Sequence, residues 1–209
     1  MERNTRYAAT MVSVFKKTLT VDETAETLYG LMQKDSKQEW RSKLSSASGL
    51  DPVRAEDELV FLDFFAIYFS LKFTRSPGWH DKGILVFEKL FSLVLSWFGS
   101  FLESKNAGTR DDAFRILDGR LKAYGATIER PSSADPDEMI RSVGLTYAAY
   151  AFAEDSFYGA DGRPREDRFP DFLRKLSQDH GEIVIAVGGE VFNHRMQMLY
   201  TWFDSHEVA

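Results

Sequence analysis

The chain has no cysteine, which excludes disulfides, thiolate metal sites and a thiol nucleophile together. Its three asparagines (Asn4, Asn106, Asn193) stand outside N-x-S/T sequons, removing a second sign of secretion. Uncharged apolar runs are short. Leu90 to Leu102 falls well below the roughly 20 residues that span a bilayer. Near the N-terminus only Ala8 to Phe15 is apolar, closed at once by Lys16 and Lys17, which is brief for a signal segment. Basic charge is also scarce: 26 Lys and Arg against 32 Asp and Glu leave a net charge of −6, so no excess draws the protein to nucleic acid or an anionic membrane. These absences describe a cytoplasmic protein with no stable membrane span and no nucleic-acid partner.

Aromatic residues are abundant. Seventeen Phe, 8 Tyr and 4 Trp make 14% of 209 residues, a load that must be packed into a core or used at an interface. With 44% apolar residues, the composition predicts a folded protein, read as one domain over residues 1–209.

Start and stop signals divide the chain into about seven helical segments. Thr20 and Glu23 form a capping box ahead of Leu28, Leu31, Met32, Trp40 and Leu44. A second box at Ser36 and Glu39 allows that segment to be two helices. Asp51-Pro52 places a cap before a proline at the first helical position and opens a helix to Phe73. Further helices are expected over Asp81 to Lys105, from Thr109 to a left-handed Gly125, and from Asp135-Pro136 to Tyr158. A short one follows around Pro170 to Gln178. The last segment, Glu182 to Asp204, contains Ile183-Val-Ile-Ala-Val187 before Gly188-Gly189. That run fits a buried strand or a helix kinked at the glycines, and without a partner strand the helix is preferred. The fold class is all-α: a multi-helix bundle around a central apolar helix, 51–73.

That central helix is apolar on nearly every side, broken by a thin seam of Glu56, Asp63, Ser70 and Thr74. Helix 81–105 has a wide apolar arc of Val86, Phe87, Leu90, Leu93, Val94, Trp97 and Phe101, opposite small and polar residues including Glu88, Ser92, Ser96 and Gly99. Three ionisable groups fall on apolar surfaces. They are Asp63, Glu154 (in a stripe with Tyr147, Tyr150 and Tyr158), and Arg195 between Val191 and Leu199. Buried charges need partners, so Arg195 is expected to pair with Asp63 or Glu154, the tyrosine hydroxyls completing the hydrogen bonds. Asp63, Glu154, Arg195, Tyr147, Tyr150 and Tyr158 are therefore the candidate ligand-binding residues, in a polar pocket between helices 51–73 and 136–158.

No catalytic or metal motif stands beside them. The Glu-x-x-His pairs of di-iron bundles are missing, and Glu190 with His194 supplies only two ligands. Asp155 and Asp161-Gly162 lack the spacing and closing glutamate of a calcium loop. Gly188-Gly189 lacks the lysine of a phosphate loop. No catalytic residue, metal or cofactor is expected. Action through protein contact, as a homodimer, is the first functional reading. A small-molecule binder or enzyme using the polar pocket is the second, and a conditional membrane inserter the third.

Overall fold

The computed structural model describes residues 16–33, 37–47, 49–74, 79, 81–128, 135–152, 165–178 and 181–209. Glu154, Tyr158, residues 155–162 and Ser36 lie outside the described residues. Eight α-helices and two short strands are present among those described: β1 (Lys17–Leu19), α1 (Val21–Gln33), α2 (Lys37–Leu44), α3 (Pro52–Phe73), α4 (Gly83–Ser104), α5 (Arg110–Ile128), α6 (Pro136–Ala151), α7 (Phe169–Gln178), α8 (Gly181–Ser205) and β2 (His206–Val208).

The caps written in the sequence are made. The Thr20 amide donates to the Glu23 carboxylate at 2.8 Å, and the Glu23 amide donates back to the Thr20 hydroxyl at 3.2 Å. Thr109 and Asp112 repeat this at the start of α5. These bonds, led by the backbone N–H of the threonine, hold both carboxyls below their ordinary range. Asp51 and Asp135 each accept a first-turn amide ahead of a proline at the first helical position.

Two boundaries differ from those expected. Gly125 does not end α5, which continues to Ile128, and it does not take the left-handed conformation. Tyr124 is fully buried and the Thr127 hydroxyl bonds back to the Ala123 carbonyl, so burial and a local bond carry the helix past the glycine. Helix α6 stops at Ala151 with Phe152 as its C-cap instead of reaching Tyr158. Arg54 donates to the Tyr150 carbonyl and Lys175 to the Phe152 carbonyl, satisfying acceptors that a longer helix would have used.

Helix α8 is continuous, so 183–187 is helical. Packing overrides the β propensity of that run: Val184, Ile185 and Val187 are buried. Its glycines let α6 approach closely. A Cβ at Gly188 would lie 2.7 Å from Tyr147 Cβ, and one at Gly144 would strike the Ile185 carbonyl.

The β1–β2 pair is parallel, with Lys17 opposite His206 and Leu19 opposite Val208. It was not foreseen, because three-residue strands leave no periodic signal. The outer carbonyls of β2 are covered: the Trp79 indole donates to His206 and the Lys82 ammonium to Val208.

Helix α3 is the central rod. From Leu59 to Ile67 every residue is buried. One side joins Tyr147, Val184, Phe192 and Met196 in a first core cluster; the other joins Leu28, Leu90, Val94, Leu117 and Leu199 in a second.

Candidate functional site

Asp63 lies on the α3 seam and Arg195 on the inward face of α8, each 6% exposed. Arg195 Nε donates to Asp63 Oδ1 and Nη2 to Oδ2, both at 2.7 Å. This is a two-pronged, charge-assisted pair. The Ser70 hydroxyl, one seam position further along α3, donates to Met196 Sδ.

The Tyr147 hydroxyl does not complete this pair. Tyr147 is fully buried and donates to the Ala55 carbonyl at 3.0 Å, tying α6 to the first turn of α3. Burial pushes its hydroxyl well above the ordinary value near 10, with the Glu58 charge adding to the effect. The backbone carbonyl of Tyr150 accepts from Arg54, and the guanidinium of Arg120 stacks 3.6 Å above its ring.

A second polar cluster was missed in the sequence. Glu58 is 2% exposed. It accepts from Arg120 Nε at 2.9 Å and from the Tyr124 hydroxyl at 3.0 Å. Burial raises the Tyr124 hydroxyl well above its usual value, and the neighbouring Glu58 charge raises it further. Glu58 stands in the acidic run Glu56-Asp57-Glu58, which reads as a solvated start of a helix. The available signal was its angular position, on one face with Phe61, Leu62 and Phe65.

Both carboxylates are therefore engaged by donors from neighbouring helices, and the groups around them hold α3 to α5, α6 and α8. A groove of about 440 Å³ lies between α6 and α8, lined by Asp137, Ile140, Arg141, Glu182, Ile185 and Asn193 among others. Asp63, Arg195, Tyr147 and Tyr150 take no part in lining it.

Among the described residues, α4 exposes two large apolar side chains, Ile84 and Leu85. Val86, Leu90, Val94 and Phe98 point into the second core cluster. Beside them Phe87, Phe91 and Leu95 are half-buried, and Ile84 is 67% exposed. Phe87 packs on Tyr68 of α3 at 4.7 Å between ring centres, and Phe91 meets Phe114 of α5 at 5.9 Å. Phe114 is itself 48% exposed. By length and composition α4 could cross a membrane: its most apolar stretch has a mean hydropathy of 1.6, and only 28% of that stretch is buried. The small-residue side of α4 does not stay open along its length. Gly99 faces α5, where a Cβ would lie 3.5 Å from Arg110 Cα, so the glycine serves a contact within the chain.

Compared with known proteins, the chain matches no protein-family model, no curated protein and no solved structure. Residue chemistry and architecture are the basis for a functional reading.

Proposed function

We propose that this protein works by protein contact, as a homodimer. The observation that supports the proposal is the partial burial of α4. In a stretch of α4 whose mean hydropathy reaches 1.6, 28% of the residues are fully buried; Ile84 and Leu85 are exposed, and the half-buried Phe87 and Phe91 adjoin aromatic side chains from α3 and α5. Large apolar surface left by a folded chain marks an interaction site. Aromatic residues are enriched at interface centres, and two-fold dimers are the commonest soluble assemblies. The ligand-binding reading has less support, because Asp63 and Arg195 satisfy each other in the interior.

Sedimentation velocity over a wide concentration range tests the proposal. The expected result is a concentration-dependent or stable species of twice the chain mass. A strict monomer at every concentration would refute it.

A further inference from the structure

We infer that Met198 is a modification site: peroxide oxidises its sulfur, and Arg195 holds the sulfoxide oxygen that results. The site does not depend on self-association; it follows from the donors that the buried ion pair leaves over. Arg195 carries more N–H groups than one carboxylate accepts. Nε and Nη2 are taken up by Asp63, and Nη1 faces Met198 Sδ at 3.7 Å. Met198 stands three residues further along α8 and so lies on the same side of the helix. A thioether is a weak acceptor. A charged nitrogen on a side chain almost closed to solvent therefore has its poorest partner here.

Burial sets Met198 apart from the other methionines among the described residues. Met32 and Met196 are 1% and 6% exposed, and the Met196 sulfur accepts the Ser70 hydroxyl at 3.0 Å. Met139 is half-buried and packs against the first core cluster, where a sulfoxide would set a polar oxygen among apolar side chains. Met198 is also half-buried but belongs to neither core cluster. Its side chain is within reach of a small oxidant, and its oxidised form does not enter the core.

The oxidant is hydrogen peroxide. The sulfur lone pair turned away from Nη1 attacks one peroxide oxygen, so that an S–O bond forms as the O–O bond breaks. The departing oxygen leaves with the electron pair and takes the proton of the transferred one. Sulfur is oxidised by two electrons to the sulfoxide, and peroxide is reduced to water. The 3.7 Å between sulfur and Nη1 exceeds the ~2.9 Å of an N–H···O bond. The new oxygen, set off the line between those two atoms, has room to accept from Nη1. A charge-assisted bond then replaces a weak one, and Asp63 keeps both of its own. Sulfoxidation disrupts a packed core; at Met198 it supplies an oxygen acceptor to a buried cation.

The test treats the full chain with dilute hydrogen peroxide, follows each methionine by peptide mass spectrometry and reads melting by circular dichroism. Met198 is expected to oxidise at least about tenfold faster than Met32 and Met196. The shift in Tm on treatment is expected to be about 2–4 °C more positive in the wild type than in Met198→Leu, which controls for the remaining methionines. That advantage is expected to vanish when Asp63→Leu and Arg195→Leu are added to both. Should the charge-free background not fold, Met198→Gln answers the same question, because its amide oxygen stands in for the sulfoxide oxygen. It is expected to melt about 2–4 °C above Met198→Leu, and an equal or lower Tm would overturn the hold by Arg195. Oxidation of Met198 no faster than that of Met32 and Met196 would overturn the site itself. Equal shifts in the wild type and Met198→Leu, or an advantage that survives the loss of Arg195, would overturn the part assigned to the guanidinium.

Discussion

Replacing Asp63 by leucine separates the stability of the fold from any contribution to binding. In the wild type, two N–H groups of Arg195 meet both Asp63 oxygens at 2.7 Å, with each side chain almost closed to solvent. Removing the carboxylate leaves a guanidinium buried without its counter-charge, which costs about 3–5 kcal/mol. Arg195→Met leaves the carboxylate stranded and should cost a similar amount. Each single loss is a large part of a total stability of roughly 5–15 kcal/mol, and lowers the melting temperature by roughly 6–20 °C in a chain of this size. The double variant, Asp63→Leu with Arg195→Met, removes both charges and keeps the volume apolar. Such replacements are neutral or stabilising by about 1–4 kcal/mol, so the double variant should be more stable than either single one. Urea denaturation of all four proteins, read as a double-mutant cycle, measures the coupling. An additive cycle, or single variants costing less than about 1 kcal/mol, would refute a buried, mutually satisfied pair.

Two further outcomes follow from groups in the second core and at the α3–α5 contact. Thr24 is fully buried and, among the described residues, its hydroxyl has no hydrogen-bond partner; Thr24→Val should therefore raise stability by about 1 kcal/mol in urea melts, and a loss instead would show that the hydroxyl is bonded. Tyr124 and Tyr147 are held protonated above their ordinary value of 10 by burial. Because the folded value is the raised one, their contribution is complete below pH 10 and is lost as the pH rises from there toward the folded values. The urea midpoint should fall between about pH 9 and pH 11, with a shallower fall in Tyr124→Phe; equal slopes would remove Tyr124 from that titration.

Much of the helical layout was legible because each start is a local event. Asp51-Pro52, Asp135-Pro136, Thr20 with Glu23 and Thr109 with Asp112 declare helix N-termini within four residues, and the structure places a cap at each. Helix ends were less legible. Gly125 carries a C-terminal signal that a fully buried Tyr124 overrules, and α6 ends where Arg54 and Lys175 arrive from distant segments. The Asp63–Arg195 pair was foreseeable from two charges on apolar faces. Glu58 was not, because an acid at the edge of an acidic run looks solvated until Arg120 and Tyr124 are known to lie against it. Partner identity is a property of three-dimensional neighbours, and periodicity shows only the face on which a residue lies.

The ion pair stands where the two core clusters meet. Along α8, residues up to Met196 belong to the first core cluster and Leu199 and Phe203 to the second, so Arg195 stands beside the changeover. Along α3, Leu59, Leu62 and Phe65 face one cluster while Val60, Phe64 and Ile67 face the other, with Asp63 between them. Apolar contacts alone are non-directional and tolerate sliding of one helix past another. A two-pronged ion pair at the boundary does not tolerate it, and a shift of even one residue would break both bonds. The pair thus fixes α3 against α8. The charge-neutral double variant of Asp63 and Arg195 is expected to stay folded with α3 and α8 less tightly registered, read as faster amide exchange along these two helices. Unchanged amide exchange in the stable double variant would show that the two core clusters hold α3 in register without the pair.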